Sequence, residues 1–492
     1  MADAGSEPLA DPAATEGTPA GPSTAEQALA RRSLIVVGAG YLLVQLLLFS
    51  YHRAPGWDES VYLSQVMPGA KAAFFGAFRA RGITLLIAPA AGLGGTVGAV
   101  RLYLVFVSTA LLVTAFWLWI PVVGSVAPVA AALLGFSWLG LVNGSEVLPN
   151  LWAALLGVAV AGLVLRRLSG PARWAMPLAA ACLGLLALFR PTEATVATLA
   201  IGIFIFGWRR DGLRLLLPLG LGLAAGWLPW VVEMSLRFDG PLNALRQAGT
   251  AHFAIASAGQ NLIRNLAYTD GRILRPASQT VPLAGALWWG WLVGLTVVAF
   301  AKARNHRGAV ILSSLGAAAL ALEYLVFVSA LAPRYLLPAY AFASIPAATG
   351  LLWLVRDGRT ARVAGAITVL LLIPWAIWQG GVAHRFASQH AAVYGQVQVV
   401  GSTIRQAAAG RACTVLSVRE YPEIALASGC AGQLIRPIGP TPQELEELSA
   451  GGRSVFIVFV TAAPPQAPLG SFTPVGSSPQ AKPKWFIYRF SP

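Results

Sequence analysis

The sequence is poor in charge and especially poor in acidic residues. Only 11% of its 492 residues are charged, against about 25% in a typical soluble domain, and Asp and Glu together number 20. Hydrophobic residues make up 56% of the chain. This composition leaves too little polar surface for a water-soluble globule, so the chain is predicted to be a membrane protein that contacts the lipid bilayer.

The shortage of acid leaves a formal net charge of +15. A basic surplus attracts nucleic acid in some proteins and marks cytoplasmic loops in membrane proteins. Here no basic groove studded with aromatic residues is visible, which argues against a nucleic-acid partner. The basic residues instead lie in four short gaps between apolar runs: Arg166, Arg167 and Arg173; Arg209, Arg210 and Arg214; Lys302, Arg304 and Arg307; and Arg356, Arg359 and Arg362.

Signatures of nucleotide and metal sites are also missing. No Gly-rich loop of the Walker type is present, and GLGLAAG at 220–226 is interpreted as small residues that let two helices pack closely. The five histidines are scattered without the spacing of paired metal ligands. No cofactor is therefore expected to be required, and a divalent metal held by Asp58 and Glu59 remains the alternative.

Long apolar runs dominate what is present. A membrane helix takes roughly 20 mostly apolar residues. The run 83–100 is short and broken by Pro89, and counting it as a span would move every later basic gap outside, so it is predicted to be a juxtamembrane or re-entrant helix. The predicted fold is a polytopic α-helical membrane protein with about eleven transmembrane helices: 33–50, 101–120, 125–142, 150–165, 174–189, 192–207, 214–232, 281–300, 308–330, 336–355 and 363–380.

The span count predicts three regions and an orientation. Residues 1–32 lack periodicity and are expected to be a disordered cytoplasmic N-terminus. Residues 33–380 form the transmembrane module, with outer loops at 51–82 and 233–280, the second of which suits a lid that orders on donor binding. Residues 381–492 alternate helix and strand patterns and are predicted to be a small extracytoplasmic α/β domain. In this topology the four basic gaps lie on the cytoplasmic side of the plasma membrane.

Cysteine is nearly absent, and two of the three cysteines, Cys413 and Cys430, lie in the C-terminal region. An exterior location is oxidising, so a disulfide between them is predicted, with two buried free thiols as the alternative. The third, Cys182, falls within a span.

Carboxylates are found at the borders of the predicted outer face. Asp58 and Glu59 are adjacent in the first outer loop, and Glu146 precedes a later span. Two acids side by side at a membrane border are expected to have raised pKa values, in the range of a general base. The alternative for Asp58 is a simple helix cap.

Arginines on the outer face run against the positive-inside trend and need another explanation. Arg190 and Arg334 each lie at a span end beside a proline, and Arg79 and Arg81 lie in the first outer loop. The planar guanidinium group makes paired hydrogen bonds with phosphate, so together they predict a phosphate-binding cleft. The alternatives are that arginines in such turns bind lipid headgroups or pair with the carboxylates, and that Arg190 or Arg334 alone is an interfacial anchor.

The order of these elements resembles the GT-C fold glycosyltransferases, which include the protein O-mannosyltransferases and aminoarabinose transferases of the family 39 type. The resemblance covers about 33–380, although no His-Pro-Pro element of the mannosyltransferases is present. It rests on a first span followed by the acidic pair, FRARGITLLIAP (78–89), Glu146, RPT (190–192), RY-x-x-P (334–338) and an outer C-terminal domain.

The resemblance implies a reaction and a set of roles. It implies hexosyl or pentosyl transfer from a polyprenyl-phosphate sugar to a hydroxyl of a glycan, lipid or protein on the extracytoplasmic side, by inverting direct displacement. The alternatives are a lipid-linked-sugar flippase, an O-antigen ligase or polymerase-type enzyme, and a noncatalytic scaffold. The implied residues are Asp58 as first choice of base, Glu59 and Glu146 as further catalytic acids, Arg190, Arg334, Arg79 and Arg81 for the donor phosphate, and Tyr62 and Tyr335 for substrate contact.

Overall fold

The computed structural model describes residues 21–48, 53–208, 210–252, 262–263, 283–328, 332–356, 358–435, 440–450, 452–460, 472–478 and 484–490. These residues form a helical bundle followed by a small α/β domain, so the predicted fold class is confirmed. Most of the outer loop 233–280, including the predicted lid beyond His252, lies outside the described residues.

The helices of the bundle follow the predicted apolar runs. Short 3₁₀ segments at Arg210–Leu215, Arg304–His306 and Pro333–Leu336 and a π-turn at Glu323–Phe327 join or extend them. The helices are α1 (Thr24–Leu48), α2 (Trp57–Ser64), α3 (Gly82–Gly94), α4 (Val97–Trp117), α5 (Ile120–Val123), α6 (Val126–Gly135), α7 (Trp138–Asn143), α8 (Asn150–Ser169), α9 (Ala175–Phe189), α10 (Pro191–Trp208), α11 (Leu216–Arg237), α12 (Pro241–His252), α13 (Leu283–Lys302), α14 (Arg307–Leu322), α15 (Leu337–Arg356) and α16 (Arg359–Ala408).

Within the described ranges, nine helices are long and apolar enough to cross a membrane. The predicted span 125–142 is instead two short helices, α6 and α7, divided at Phe136–Ser137, and the span 174–189 is the 15-residue α9. The 13 residues of α3 extend about 20 Å, too short to cross the hydrocarbon core, in agreement with its exclusion from the span count.

Close packing around two helices organises the bundle. Helix α8 lies at its centre, with every residue from Asn150 to Leu165 buried. Helices α9 and α11 touch through small residues: a Cβ on Gly222 would lie 2.2 Å from the Ala180 carbonyl oxygen, so no larger side chain fits there. The packing interpretation of 220–226 is therefore confirmed.

Two predicted boundaries differ from the structure. Residues 24–32 are helical rather than disordered, because Ser23 Oγ accepts the Glu26 amide and Ala30 is buried. Helix α16 runs without a break through the predicted boundary at 380/381, where a span and a separate helix were expected. Two glycines there cost roughly 1 kcal/mol each, but burial on both sides offsets this: Val382 packs in the bundle and Val400 in the C-terminal core.

The C-terminal domain is a five-stranded sheet with two further helices, α17 (Tyr421–Ser428) and α18 (Pro442–Ser449). The strands are β1 (Cys413–Ser417), β2 (Ala431–Leu434), β3 (Ser454–Phe459), β4 (Phe472–Ser478) and β5 (Trp485–Phe490), in the order β2-β1-β3-β5-β4. Strand β1 pairs in parallel with β2 and β3, and β5 is antiparallel to β3 and β4. A disulfide joins Cys413 to Cys430.

The C-terminal domain docks on the short helix that carries the acidic pair. Helix α17 packs against α2, and the Tyr421 ring meets the Trp57 ring edge to face with centroids 5.1 Å apart. The domain therefore closes over the end of the bundle where Asp58 lies; we call this the site end.

Candidate functional site

The candidate site is built around Asp58 in the first turn of α2. Gly56 caps this helix, and its backbone N–H donates to Glu59 Oε2 over 3.1 Å. Residues one apart on a helix point in different directions. As a result 30% of the Asp58 side chain is exposed, whereas Glu59 borders the same cavity but is buried.

Two arginines hold the Asp58 carboxylate, one on each oxygen. Arg79 Nη2 donates to Oδ1 and Arg334 Nη2 donates to Oδ2, both over 2.6 Å. Arg79 comes from the first loop and is stacked 4.3 Å from the centroid of the Phe78 ring, while Arg334 comes from the turn that precedes α15. Two segments far apart in sequence thus converge on one acid.

The expected increase in the pKa of the acidic pair is wrong. Burial acts to raise the pKa of Asp58, but the positive charges of Arg334 and Arg79 outweigh it, and the pKa lies below its usual value. Burial is likewise overcome at Glu59, where Arg101 and Arg53 lower the pKa to about 2. Both acids are therefore anions at neutral pH, and the arginines that sequence reasoning assigned to phosphate explain the difference at Asp58.

Glu59 forms buried hydrogen bonds that hold α2 in place. Its Oε1 accepts the Val147 amide over 2.9 Å, and its Oε2 accepts Arg101 Nη2 over 2.9 Å. Arg101 in turn donates to the Ser145 carbonyl over 3.0 Å. These contacts tie α2 to α4 and to the loop before α8, so Glu59 positions the helix that presents Asp58.

Glu146 is buried at the same end, where Arg53 Nη2 lies 3.2 Å from its Oε1. Burial raises the pKa of this carboxyl above its usual value, and the neighbouring charge of Glu59 adds to the effect. Glu146 and Asp58 line one cavity, so the structure brings together the two acids that came from different loops.

One group of described side chains has the spacing of metal ligands: Glu59, Glu146 and His390 offer atoms within 4.8 Å of one another. Of the pair Asp58 and Glu59, expected as the alternative metal site, Glu59 belongs to this group and Asp58 does not. Both oxygens of Glu59 already accept hydrogen bonds, and Arg53 and Arg101 neutralise the two glutamates. The donor set is thus better suited to an ion-pair network than to a dication.

Arg190 occupies a second part of the site. Its Nε donates to Glu193 Oε1 over 2.7 Å, and its Nη2 donates to the Tyr324 hydroxyl. The guanidinium carbon also lies 5.5 Å from the centroid of the Tyr335 ring, which stacks on Tyr324. This cluster joins the start of α10 to the end of α14 and the start of α15.

Arg81 is placed differently from the other predicted phosphate ligands. It donates to Glu233 through Nε and Nη2, with the Nε–Oε2 bond at 2.9 Å, and its Nη1 donates to Gln65 over 3.0 Å. The guanidinium lies over the Phe75 ring at 3.8 Å. These contacts tie the first loop to α11, and Arg81 lines neither of the two cavities described next.

Two cavities lie at the site end, and Asp58 lines the larger of them. The smaller, about 120 Å³, includes Arg190, both predicted tyrosines, Tyr62 and Tyr335, and the rings of Trp227 and Trp230 from α11. The larger, about 260 Å³, is lined by acids, Arg334 and aromatic rings: Trp57, Asp58, Glu59, Trp138, Glu146, Arg334, Phe386, His390 and Tyr394. Asp58 and Arg334 therefore face the larger cavity and Arg190 the smaller one.

Sequence reasoning missed several residues of this site. Arg101 is the only charged residue in α4, and a lone charge in an apolar helix is a signal for a buried partner. Arg53 directly follows the first span and carries a similar signal. His390 and Tyr394 lie where the bundle helix was expected to have ended, so no sequence signal associated them with Asp58.

A further carboxylate reaches this region from the C-terminal domain. Glu423 on α17 is fully buried and lies beside the carboxylate of Glu420. Burial raises its pKa to about 10, with the charges of Glu420 and Asp58 acting in the same direction. Glu420 adopts a left-handed backbone conformation, φ 52°, at the start of this helix.

Comparison with known proteins gives matches in structure only. No protein-family model matches the chain, and no curated protein matches it. ArnT from Cupriavidus metallidurans bound to undecaprenyl phosphate superposes with a TM-score of 0.66 at 14% identity, over 92% of this chain and 97% of that chain. The chain has the GT-C fold.

A second solved structure agrees. The archaeal oligosaccharyltransferase AglB from Archaeoglobus fulgidus, in complex with an inhibitory peptide and a dolichol-phosphate, gives a TM-score of 0.52 at 12% identity, over 88% of this chain and 70% of that chain. The fold expected from the order of sequence elements is therefore confirmed. At such low sequence identity the comparison supports the GT-C fold alone. The roles of individual residues are inferred from the geometry of this structure.

Proposed function

We propose that the protein is a membrane glycosyltransferase that moves a sugar from a polyprenyl-phosphate carrier to an acceptor hydroxyl at the site end of the bundle. The observation that carries this proposal is the Asp58 carboxylate, which is held between Arg79 and Arg334 at the wall of a cavity. The fold supports it, because the similar ArnT structure holds undecaprenyl phosphate and the AglB structure a dolichol-phosphate.

Each cavity suits one substrate. The smaller cavity is walled by the rings of Trp227 and Trp230 and by Arg190, so we assign it the donor, with the phosphate on the side toward the arginines that hold Asp58. The larger cavity contains Asp58 beside aromatic rings and the docked C-terminal domain, so we assign it the acceptor. In this arrangement Asp58 removes the proton of the acceptor hydroxyl, which attacks the anomeric carbon and displaces polyprenyl phosphate.

The arginine contacts give the reaction an order. While both oxygens of Asp58 are held, its lowered pKa makes it a weak base. A donor phosphate competes for Arg79 and Arg334 through paired hydrogen bonds. Once the phosphate draws these arginines away, the carboxylate loses its positive partners and its proton affinity rises. Donor binding thereby prepares the base before the acceptor reacts.

Arginine side chains of the protein can stabilise the negative charge of the departing phosphate. Arg79 and Arg334 meet at Asp58, and Arg190 lines the smaller cavity. Preorganised cations of this kind stabilise the negative charge that develops in the transition state. We therefore propose a reaction that requires no divalent cation. In this proposal Glu59 positions α2, and Glu146 adjusts the charge that surrounds the acceptor. Transfer unchanged by excess chelator is the expected result, and loss that Mn²⁺ or Mg²⁺ restores would contradict it.

Asp58→Asn tests the proposal directly. The protein is reconstituted in proteoliposomes with radiolabelled polyprenyl-phosphate sugars and cell-envelope acceptor fractions, and transfer is measured. The variant is expected to lose about 10²–10⁴-fold in transfer, the usual contribution of a general base. Asp239→Asn is the matched control, since Asp239 has a left-handed φ of 54° that Asn tolerates and it lines neither cavity.

The outcomes separate the candidate functions. Wild-type transfer with loss only in Asp58→Asn supports the proposal. Equal transfer by both variants removes Asp58 as the base. Movement of the lipid-linked sugar between leaflets without any transfer would assign the protein as a flippase instead.

A further inference from the structure

A basic cavity lies at the end of the bundle opposite to Asp58. Helix α15 begins just after Arg334 and ends at Arg356, and its 20 residues extend about 30 Å. Lys302 closes α13 at that same end. This cavity, which we call the head cavity, has a volume of about 370 Å³ and is separated from the candidate site by the length of the helices.

Its described lining carries an excess of positive charge. Lys302, Arg304 and Arg356 line it together with His306, against the single carboxylate of Glu26. That carboxylate accepts a hydrogen bond from Ser125 Oγ over 3.1 Å, and Arg356 Nη1 lies only within 3.8 Å of it. The arginines at the site end have close acidic partners, whereas within the described ranges these cations have few.

Two features of the backbone and side chains favour a bound anion. Helix α14, 16 residues long, begins at Arg307 directly beside the cavity, and its N-cap His306 makes no side-chain bond to the first turn. The Arg307 amide donates to the Arg304 carbonyl, and the positive end of the helix dipole at this start favours anions. The Nδ1 of His306 is itself buried without a hydrogen-bond partner in the described part of the chain.

An apolar groove continues from the head cavity along the outside of the bundle. It has a volume of about 480 Å³ and shares Leu352 and Arg356 with the head cavity. Its walls come from α1, α6, α15 and α16 and are apolar apart from Ser33, Ser125 and Arg356 at one end. A basic cavity that opens into an apolar groove matches the two parts of a lipid, an anionic headgroup and an acyl chain.

We propose that the head cavity and this groove bind one anionic phospholipid of the surrounding bilayer. The phosphate lies among Lys302, Arg304 and Arg356 near the start of α14, and one acyl chain lies in the groove against Leu352 and Leu372. Basic pockets at helix ends recognise anionic headgroups by charge. The bound lipid contacts α1 on one side of the groove and α15 and α16 on the other, and so connects these helices.

The proposal is independent of the catalytic assignment and differs from a general positive-inside effect. Arg166, at another basic gap, lies 4.6 Å from the centroid of the Trp174 ring, and Arg167 donates to the Gly170 carbonyl over 3.4 Å. Neither lines the head cavity or the groove. Arg166 and Arg167 therefore provide a control with the same charge change and no lipid pocket.

The test is native mass spectrometry of the detergent-purified full chain titrated with phosphatidylglycerol, phosphatidylcholine, undecaprenyl phosphate or inorganic phosphate. Wild-type protein is expected to retain one phosphatidylglycerol and to prefer it over phosphatidylcholine. Lys302→Gln/Arg356→Gln should bind phosphatidylglycerol about 30-fold more weakly, since each basic residue near an anionic lipid contributes roughly fivefold in affinity. Arg166→Gln/Arg167→Gln should bind as the wild type does.

A second variant tests the groove without changing any charge. Ala132→Trp fills the groove and should reduce phosphatidylglycerol binding while leaving the head cavity intact. Equal loss in both double variants would reduce the effect to nonspecific surface charge and overturn the proposal. Binding of undecaprenyl phosphate but not phosphatidylglycerol, saturation by inorganic phosphate alone, or unchanged binding in Ala132→Trp would overturn it as well.

Discussion

The two ends of the helical bundle use arginine in opposite ways. At the site end the guanidinium groups meet carboxylates within hydrogen-bond distance and are mostly buried, as in Arg101 with Glu59 and Arg79 with Asp58. At the opposite end Lys302, Arg304 and Arg356 are exposed, and among the described residues only Arg356 of the three has a carboxylate within 4 Å, that of Glu26.

Buried ion pairs and exposed cations have different effects on the protein. A buried pair is costly to form and costly to break, so it defines a single geometry around Asp58. Exposed cations contribute little to stability, but they attract anions from the membrane surface. Changes at the two ends should therefore differ in size and in kind.

The largest effect is expected from Arg101→Leu. It leaves the Glu59 carboxylate buried without its main cation, which should cost about 3–5 kcal/mol of unfolding free energy. Unfolding in mixed micelles measures the loss, with the exposed Arg362→Leu as control and an expected change below about 0.5 kcal/mol. Adding Glu59→Gln to Arg101→Leu should recover part of the loss, and a purely additive double variant would contradict the pairing.

The next effect concerns donor affinity. Asp58→Asn removes the anion that competes with phosphate for Arg79 and Arg334, so polyprenyl phosphate should bind roughly 10-fold more tightly while transfer is lost. Titration by intrinsic fluorescence measures the affinity. Weaker binding in Asp58→Asn would contradict the exchange of arginine partners, and Asp239→Asn should bind as the wild type does.

Glu423 should make the stability of the C-terminal domain depend on pH. Its folded pKa of about 10 lies above the unfolded value, so folding takes up a proton and stability falls as pH rises from about 4.5 to 10. Glu423→Gln should stabilise the domain at pH 8 by about 1–3 kcal/mol and have little effect near pH 4. Thermal unfolding at both pH values tests this, with the exposed Glu446→Gln as control.

The smallest effect is expected at the opposite end. Glu26→Gln removes a carboxylate that is 3.8 Å from Arg356 and one-third exposed, so unfolding free energy should change by less than about 0.5 kcal/mol. Phosphatidylglycerol binding should instead strengthen, because a competing negative charge is lost. A destabilisation as large as that of Arg101→Leu would remove the contrast between the two ends.

Much of the site end was predictable from sequence. Charged residues are scarce in a membrane chain, so Asp58, Glu146, Arg190 and Arg334 stood out at the borders of apolar runs, and the structure brings all four to one end. The partners were not predictable. Arg81 was expected at phosphate but binds Glu233, because that contact depends on how α11 is rotated toward the first loop.

By itself, the sequence determined that the chain crosses a membrane, where its helices lie and which polar residues border them, since burial of apolar runs in lipid depends mainly on composition and length. Only the tertiary structure decided that Asp58 faces a cavity while Glu59 anchors α2, and that α16 carries His390 and the C-terminal domain to the site. These outcomes depend on helix rotation and on contacts between distant segments, where an ion pair forms only if the geometry repays the cost of burying both charges.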